Sequence, residues 1–187
     1  MKKILSKLFL KSIGWKLVGE VPKEVKKAVL VCAPHTSNWD FPLALASFAL
    51  ADLKVNYFIK KSWFFFTMNF LFKATGGIPV DRSKNHGLVD SMTLLLEESN
   101  EMIIAVPAEG TRSWVSKWKT GFYHIAKSAN VPIIMGFVDF KVKEVGFGPM
   151  FKVCGDFDKD MSKIQAFFEN KNGNCLLYTS PSPRDRI

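Results

Sequence analysis

Short apolar runs that recur between helix-patterned segments are the feature that most narrows what this chain can build. Ala28–Ala33 reads AVLVCA, without one charged or strongly polar residue, and Met102–Val106 and Val131–Val138 repeat the pattern. A strand with one wet face alternates apolar and polar positions, so an unbroken apolar run of this length marks a strand buried on both faces. Val55–Ile59 and Phe147–Val153 read as further strands, and Gly76–Val80 as a turn into a short one. Between them, Phe41–Leu53, Trp63–Phe72, Gly87–Glu98 and Trp118–Ala129 read as helices, the first with Pro42 inside its opening turn. Residues 2–18 open the chain as an amphipathic helix, with Lys3, Lys7 and Lys11 on one face and Ile4, Leu5, Leu8 and Phe9 opposite. Strands alternating with helices predict an α/β fold, a largely parallel sheet flanked by helices.

Residues 1–174 contain no internal repeat, linker or low-complexity stretch, so they read as one domain. The segment from Cys175 to Ile187 departs from everything before it in composition. It resembles the in-frame translation of a transposon-based sequencing adapter. The expectation is therefore a domain over 1–174 whose native C-terminus is missing, followed by a non-native tail over 175–187.

Composition narrows the partners. Lys and Arg number 26 against 17 Asp and Glu, a net charge of +9, yet 48% of residues are apolar and 17 are Phe. Mean hydropathy is +0.06 despite that basic load. Membrane lipid is both apolar and anionic, whereas nucleic acid is only anionic. The aromatics point the same way. Trp63–Phe72 is a compact block flanked by Lys60, Lys61 and Lys73, unlike the interleaved rings and cations of a nucleic-acid groove. Such a block can lie in the membrane interface. No apolar run reaches the roughly 20 residues that a spanning helix needs. The basic N-terminus is followed by no small-residue cleavage site, which argues against a secretory signal. Cys32, Cys154 and Cys175 show neither paired nor metal-ligand spacing, and a sparse, odd count fits a reducing compartment. The expected partner is anionic membrane lipid, with no nucleic acid, no metal, and peripheral attachment at the cytoplasmic face of the inner membrane. Oligomeric state is not legible.

In α/β folds, chemistry sits in loops at the carboxyl ends of strands. The first such loop, Pro34–Asp40, carries His35 and Asp40 five residues apart. Asp40 can cap the following helix, or it can hold one ring nitrogen of His35 and leave the other to act as a general base. No serine sits in a GxSxG elbow, so the hydroxyl to be activated can belong to a substrate. A second loop, Glu109-Gly110-Thr111-Arg112-Ser113, places a glycine where backbone can approach a ligand and an arginine fork suited to phosphate. A third, Ile78-Pro79-Val80-Asp81-Arg82-Ser83, again puts an arginine just past a strand. His86 and His124 have no ligand-spaced partner and read as structural or exposed, and Trp114, Trp118 and Tyr123 read as packing.

In this order, His35-x4-Asp40, Gly77–Arg82, Glu109–Ser113 and Val131-Pro132-Ile133-Ile134 resemble the four motifs of the glycerolipid acyltransferase family, in its compact bacterial branch. The resemblance implies an O-acyltransferase of phospholipid biosynthesis, moving an acyl chain from a thioester to 1-acylglycerol-3-phosphate or a related lysophospholipid. It implies no cofactor beyond the co-substrate, acyl-coenzyme A or an acyl carrier protein. His35 then resembles the general base and Asp40 its orienting partner. Arg82 resembles the arginine that holds the acceptor phosphate, Glu109, Gly110, Thr111 and Arg112 the acceptor block, and Pro132 the apolar fourth motif. Two positions depart from the family pattern: Ala108 stands where Pro usually precedes the Glu, and Met135-Gly136 stand where a second Pro is common. Acylation of another lysolipid or an aminolipid fits the same motifs, and a non-catalytic basic membrane-binding module is the alternative from another class.

Overall fold

Seven strands form one sheet in the computed structural model, which describes residues 1–80, 87–111 and 115–174. In chain order they are β1 (Lys16–Val18), β2 (Lys27–Cys32), β3 (Val55–Lys60), β4 (Gly77–Val80), β5 (Met102–Pro107), β6 (Ile133–Asp139) and β7 (Glu144–Phe151). Their spatial order is β1-β7-β6-β2-β5-β3-β4. The run β6-β2-β5-β3-β4 is parallel throughout. β7 turns back antiparallel to β6, and β1 joins β7 in parallel at the edge. Around the sheet lie α1 (Lys2–Ser12), α2 (Asp40–Ala51), α3 (Phe66–Ala74), α4 (Leu88–Glu98), α5 (Gly121–Ser128) and α6 (Phe157–Phe168).

β2 shows why the apolar runs are unbroken. Val29 and Val31 point into a layer with Leu96 of α4, Phe122 and Ile125 of α5 and Ile164 of α6. Ala28 and Leu30 point the other way, into a layer with Phe48 of α2. All four β2 side chains are at most 1% exposed. Full burial of a Val or Leu is worth about 1.5–3 kcal/mol, so helices on both faces stabilise this strand twice over.

The structure corrects the reading of residues 2–18. The helix stops at Ser12, Gly14 follows at φ +74°, and Lys16–Val18 extends as an edge strand paired with Glu144–Gly146. Trp15 is what holds the turn, its ring meeting Phe140 edge-on at 5.0 Å. The apolar face of α1 is also divided: Phe9, Leu10 and Ile13 pack against the domain, while Ile4, Leu5 and Leu8 stay exposed. The aromatic block divides similarly. Phe72 is buried beside Phe41, whereas Trp63, Phe65, Phe70 and Leu71 face outward. The helix expected from Trp118 begins instead at Gly121, because Trp118 is buried against Phe122 and Phe168. Sequence reading missed α6, although its signals are present. Asp156 caps its first turn by accepting the Lys159 N–H, and Met161, Ile164 and Phe168 are spaced on one helical face.

Candidate active site

β2 ends at Cys32 in the middle of the sheet, so the loop to α2 emerges between the carboxyl ends of β5 and β6. α2 starts at Asp40, whose carboxylate folds back over its own loop. Oδ2 accepts the backbone N–H groups of Thr36 and Ser37, each at 2.9 Å. The same oxygen lies 3.0 Å from Nδ1 of His35. Asp40 is 5% exposed, while the His35 side chain remains 28% exposed. One local turn therefore buries the carboxylate and keeps the imidazole at the surface. Nε2 is the ring nitrogen that Asp40 does not engage.

Glu109 sits beneath this loop. The Ala108 N–H donates to the carbonyl of Cys32 at 3.0 Å, which extends the β2–β5 pairing and fixes the next residue under His35. Glu109 Oε1 accepts the His35 backbone N–H at 3.4 Å, and the side chain is buried. Burial pushes its carboxyl pKa up, against the lowering effect of hydrogen bonds from its own N–H and that of His35. Oε2 of Glu109 and Oδ1 of Asp40 are buried without a hydrogen-bond partner among the described residues. The Cys32 thiol lies in the same environment. Burial first, and then the charges of Glu109 and Asp40, push it up to about 12. It stays protonated at neutral pH and is no nucleophile.

Of the residues expected at the site, the structure brings His35, Asp40 and Glu109 together. Gly110 and Thr111 follow on the exposed rim, Gly110 at φ +68°, a conformation that favours glycine. A Cβ at Gly110 would also come within 2.9 Å of the Lys119 side chain. Arg82 and Arg112 lie outside the described residues, as do Asp81, His86, Trp114 and the tail over 175–187. Pro132 is not brought to the site. Its carbonyl accepts the Val29 N–H, whereas the His35 loop leaves the sheet beside Gly136. Four residues of strand separate the two levels, about 13 Å. Tyr123 and Trp118 are buried in the core, and His124 stacks on Phe157. Among the described residues, no three His, Cys, Asp or Glu side chains are grouped to hold a metal ion.

One contributor had no sequence signal. The chain leaving α6 passes over the His35 loop, where the Asn174 N–H donates to Thr36 Oγ1 at 2.9 Å and Asn174 Nδ2 to Ser37 Oγ at 3.2 Å. Gly173 is buried under Thr36, where a Cβ would sit 2.6 Å from the threonine side chain. A histidine with one ring nitrogen on a buried carboxylate, and a second carboxylate bracing the loop, are suited to taking a proton from a bound hydroxyl.

A family model described as Acyltransferase matches residues 16–135. Among solved structures, the fold is similar to the crystal structure of PlsC, the 1-acyl-sn-glycerophosphate (LPA) acyltransferase of Thermotoga maritima. The match has a TM-score of 0.64 at 15% identity and covers 89% of this chain and 74% of that one. Comparison with curated proteins finds no match.

Proposed function

The chain belongs to the acyltransferase family, and from that premise we propose that it transfers an acyl group from a thioester to the hydroxyl of 1-acylglycerol-3-phosphate or a related lysophospholipid. The observation that carries the reading is the His35–Asp40 contact at the carboxyl end of the central strand. In the proposed reaction, Nδ1–H of neutral His35 donates to Asp40 Oδ2, and Nε2 takes the hydroxyl proton as the oxygen attacks the thioester carbonyl. The C–S bond then breaks, and the departing sulfur takes the proton back from the imidazolium. The products are an ester and a thiol. The buried Asp40 carboxylate favours the transient imidazolium and fixes the ring. General-base help of this kind contributes about 10²–10⁴-fold, and holding the two substrates together supplies much of the rest.

The acceptor phosphate is assigned to Arg82 and Arg112, with Glu109, Gly110 and Thr111 shaping that side of the site. Arginine presents the planar fork that phosphate accepts. Attachment to anionic lipid is assigned to two exposed apolar patches. Ile4, Leu5 and Leu8 lie on α1 beside Lys7 and Lys11, and Trp63, Phe65, Phe70 and Leu71 lie near Lys60, Lys61 and Lys73. Amphipathic surfaces of this kind bind in the plane of the interface. No helix among the described residues is long and apolar enough to cross a membrane.

The test is incubation with a labelled acyl thioester, as coenzyme A or carrier-protein derivative, and a panel of lysolipids. Label should appear in phosphatidate when lysophosphatidate is offered. Transfer to no lysolipid, with the protein folded, would remove the reading.

A further inference from the structure

A cavity of about 590 Å³ opens at the His35 end of the sheet, on the flank away from Glu109–Thr111. Ile13 and Trp15 reach it from the turn between α1 and β1, Trp39 from the His35 loop, and Phe140, Lys141 and Lys143 from the turn between β6 and β7. Its remaining wall is the strap Asn172–Asn174. The strap is tied on both sides, because the Phe140 N–H donates to the Asn172 carbonyl at 2.8 Å and Asn174 donates to Thr36 and Ser37. The lysine-bearing turn is also set, with the Lys141 N–H on the buried Asp139 carboxylate at 3.1 Å. Neither Lys141 nor Lys143 forms an ion pair among the described residues.

We propose that this cavity receives the acyl donor, with Lys141 and Lys143 holding the phosphate of its phosphopantetheine arm while Trp15, Trp39 and Phe140 cover the arm. The inference rests on the transfer reaction proposed above. A transfer at one imidazole needs two substrates to arrive from different directions. Glu109–Thr111 follow β5 on one side of β2, which leaves the β6–β7–β1 side for the second substrate. The chemistry of the lining matches such an arm: ring surface for its methyl and methylene groups, and unpaired ammonium groups for a phosphate. The volume lies within the roughly 300–1,000 Å³ usual for small-ligand sites.

The test is the Lys141→Ala/Lys143→Ala variant, assayed with lysophosphatidate and two donors, palmitoyl-coenzyme A and palmitoyl carrier protein. The donor KM should rise roughly tenfold, while the acceptor KM and the turnover at saturation stay within about twofold. A rise with either donor supports the inference and identifies the source of the arm. An unchanged donor KM with both, or a rise in the acceptor KM instead, overturns it. A second measurement needs no turnover. S-hexadecyl-coenzyme A, titrated into the His35→Ala protein, should change tryptophan emission saturably, and the lysine substitutions should weaken that binding. If the wild-type protein transfers to no lysolipid while this titration keeps its lysine dependence, the reaction fails and the arm site stands. Saturation insensitive to both lysines overturns the site.

Discussion

Asp40 and Asp160 are both buried, at opposite ends of the sheet, and the donors around them differ. Asp160 is 0% exposed and receives donors on both oxygens. Oδ2 accepts the Tyr123 hydroxyl at 3.1 Å and the backbone N–H groups of Cys154 and Gly155 at 2.9 and 3.3 Å, while Oδ1 accepts the Cys154 thiol at 2.9 Å. Burial alone would raise its pKa, but the donors from Cys154, Tyr123 and Gly155 outweigh that and hold it below the ordinary carboxylate value. It ties α5, α6 and the chain leaving β7 into one knot. Asp40 gathers all its donors on Oδ2, and one of them is an imidazole that is 28% exposed. A carboxylate that holds a fold is saturated by fixed donors. In the proposed transfer, Asp40 instead keeps part of its field for a partner that reaches the solvent.

The largest expected effect tests the Asp40 end. His35→Ala should cut transfer by about 10³–10⁴-fold, and Asp40→Asn by on the order of 10²-fold, both with near wild-type thermal melts. Initial rates at saturating substrate, beside a melting curve, check this; normal turnover in folded His35→Ala protein would leave no functional distinction between the two aspartates.

At the other end the same kind of substitution should act on stability. Asp160→Ala removes the acceptor of four donors, the buried Tyr123 hydroxyl among them, and should cost about 3 kcal/mol in denaturant unfolding, with turnover per folded molecule preserved. The pH dependence has a definite sign. The Asp160 pKa is lowered in the native state, so its contribution is present above the unfolded value near 3.8 and is lost as acid carries the pH through the lower native value. The gap between wild type and variant should therefore narrow only in strong acid. A constant gap down to that range would mean that the carboxylate charge contributes nothing.

Glu109 is intermediate between the two, and its sign is opposite. Its raised native pKa disfavours the ionised carboxylate, a penalty that develops as pH rises above the unfolded value near 4.5. Glu109→Gln should gain stability at neutral pH, and the gain should vanish below that value. Melting curves across pH decide it, and a gain that persists in acid would point to packing instead of charge.

The smallest effect concerns the strap. Gly173→Ala presses a methyl group against Thr36 and should lower turnover several-fold with little change in either KM, short of the roughly hundredfold that a 1 Å misplacement can cost. Unaltered kinetics would show that the His35 loop keeps its shape without the strap.

The sequence by itself determined what is local. The buried strands were legible because an unbroken apolar run such as AVLVCA tolerates no wet face, and their alternation with helices settled the layer architecture. The His35–Asp40 pair was legible because the two side chains meet within one turn of chain, so spacing alone sets their geometry. Tertiary structure decided whatever depends on residues distant in sequence. The register of β1 against β7, which turned the end of the first helical segment into an edge strand, comes from Lys16 meeting Glu144. The fate of Ile4, Leu5 and Leu8 followed from how α1 rotates on the domain, because an apolar stripe shows what can be buried but not whether a partner covers it. Glu109 under the His35 N–H, Asp160 in its saturated knot and Gly173 against Thr36 are all long-range contacts. Composition and periodicity fix which residues leave water, and only the closed chain fixes what they meet when they do.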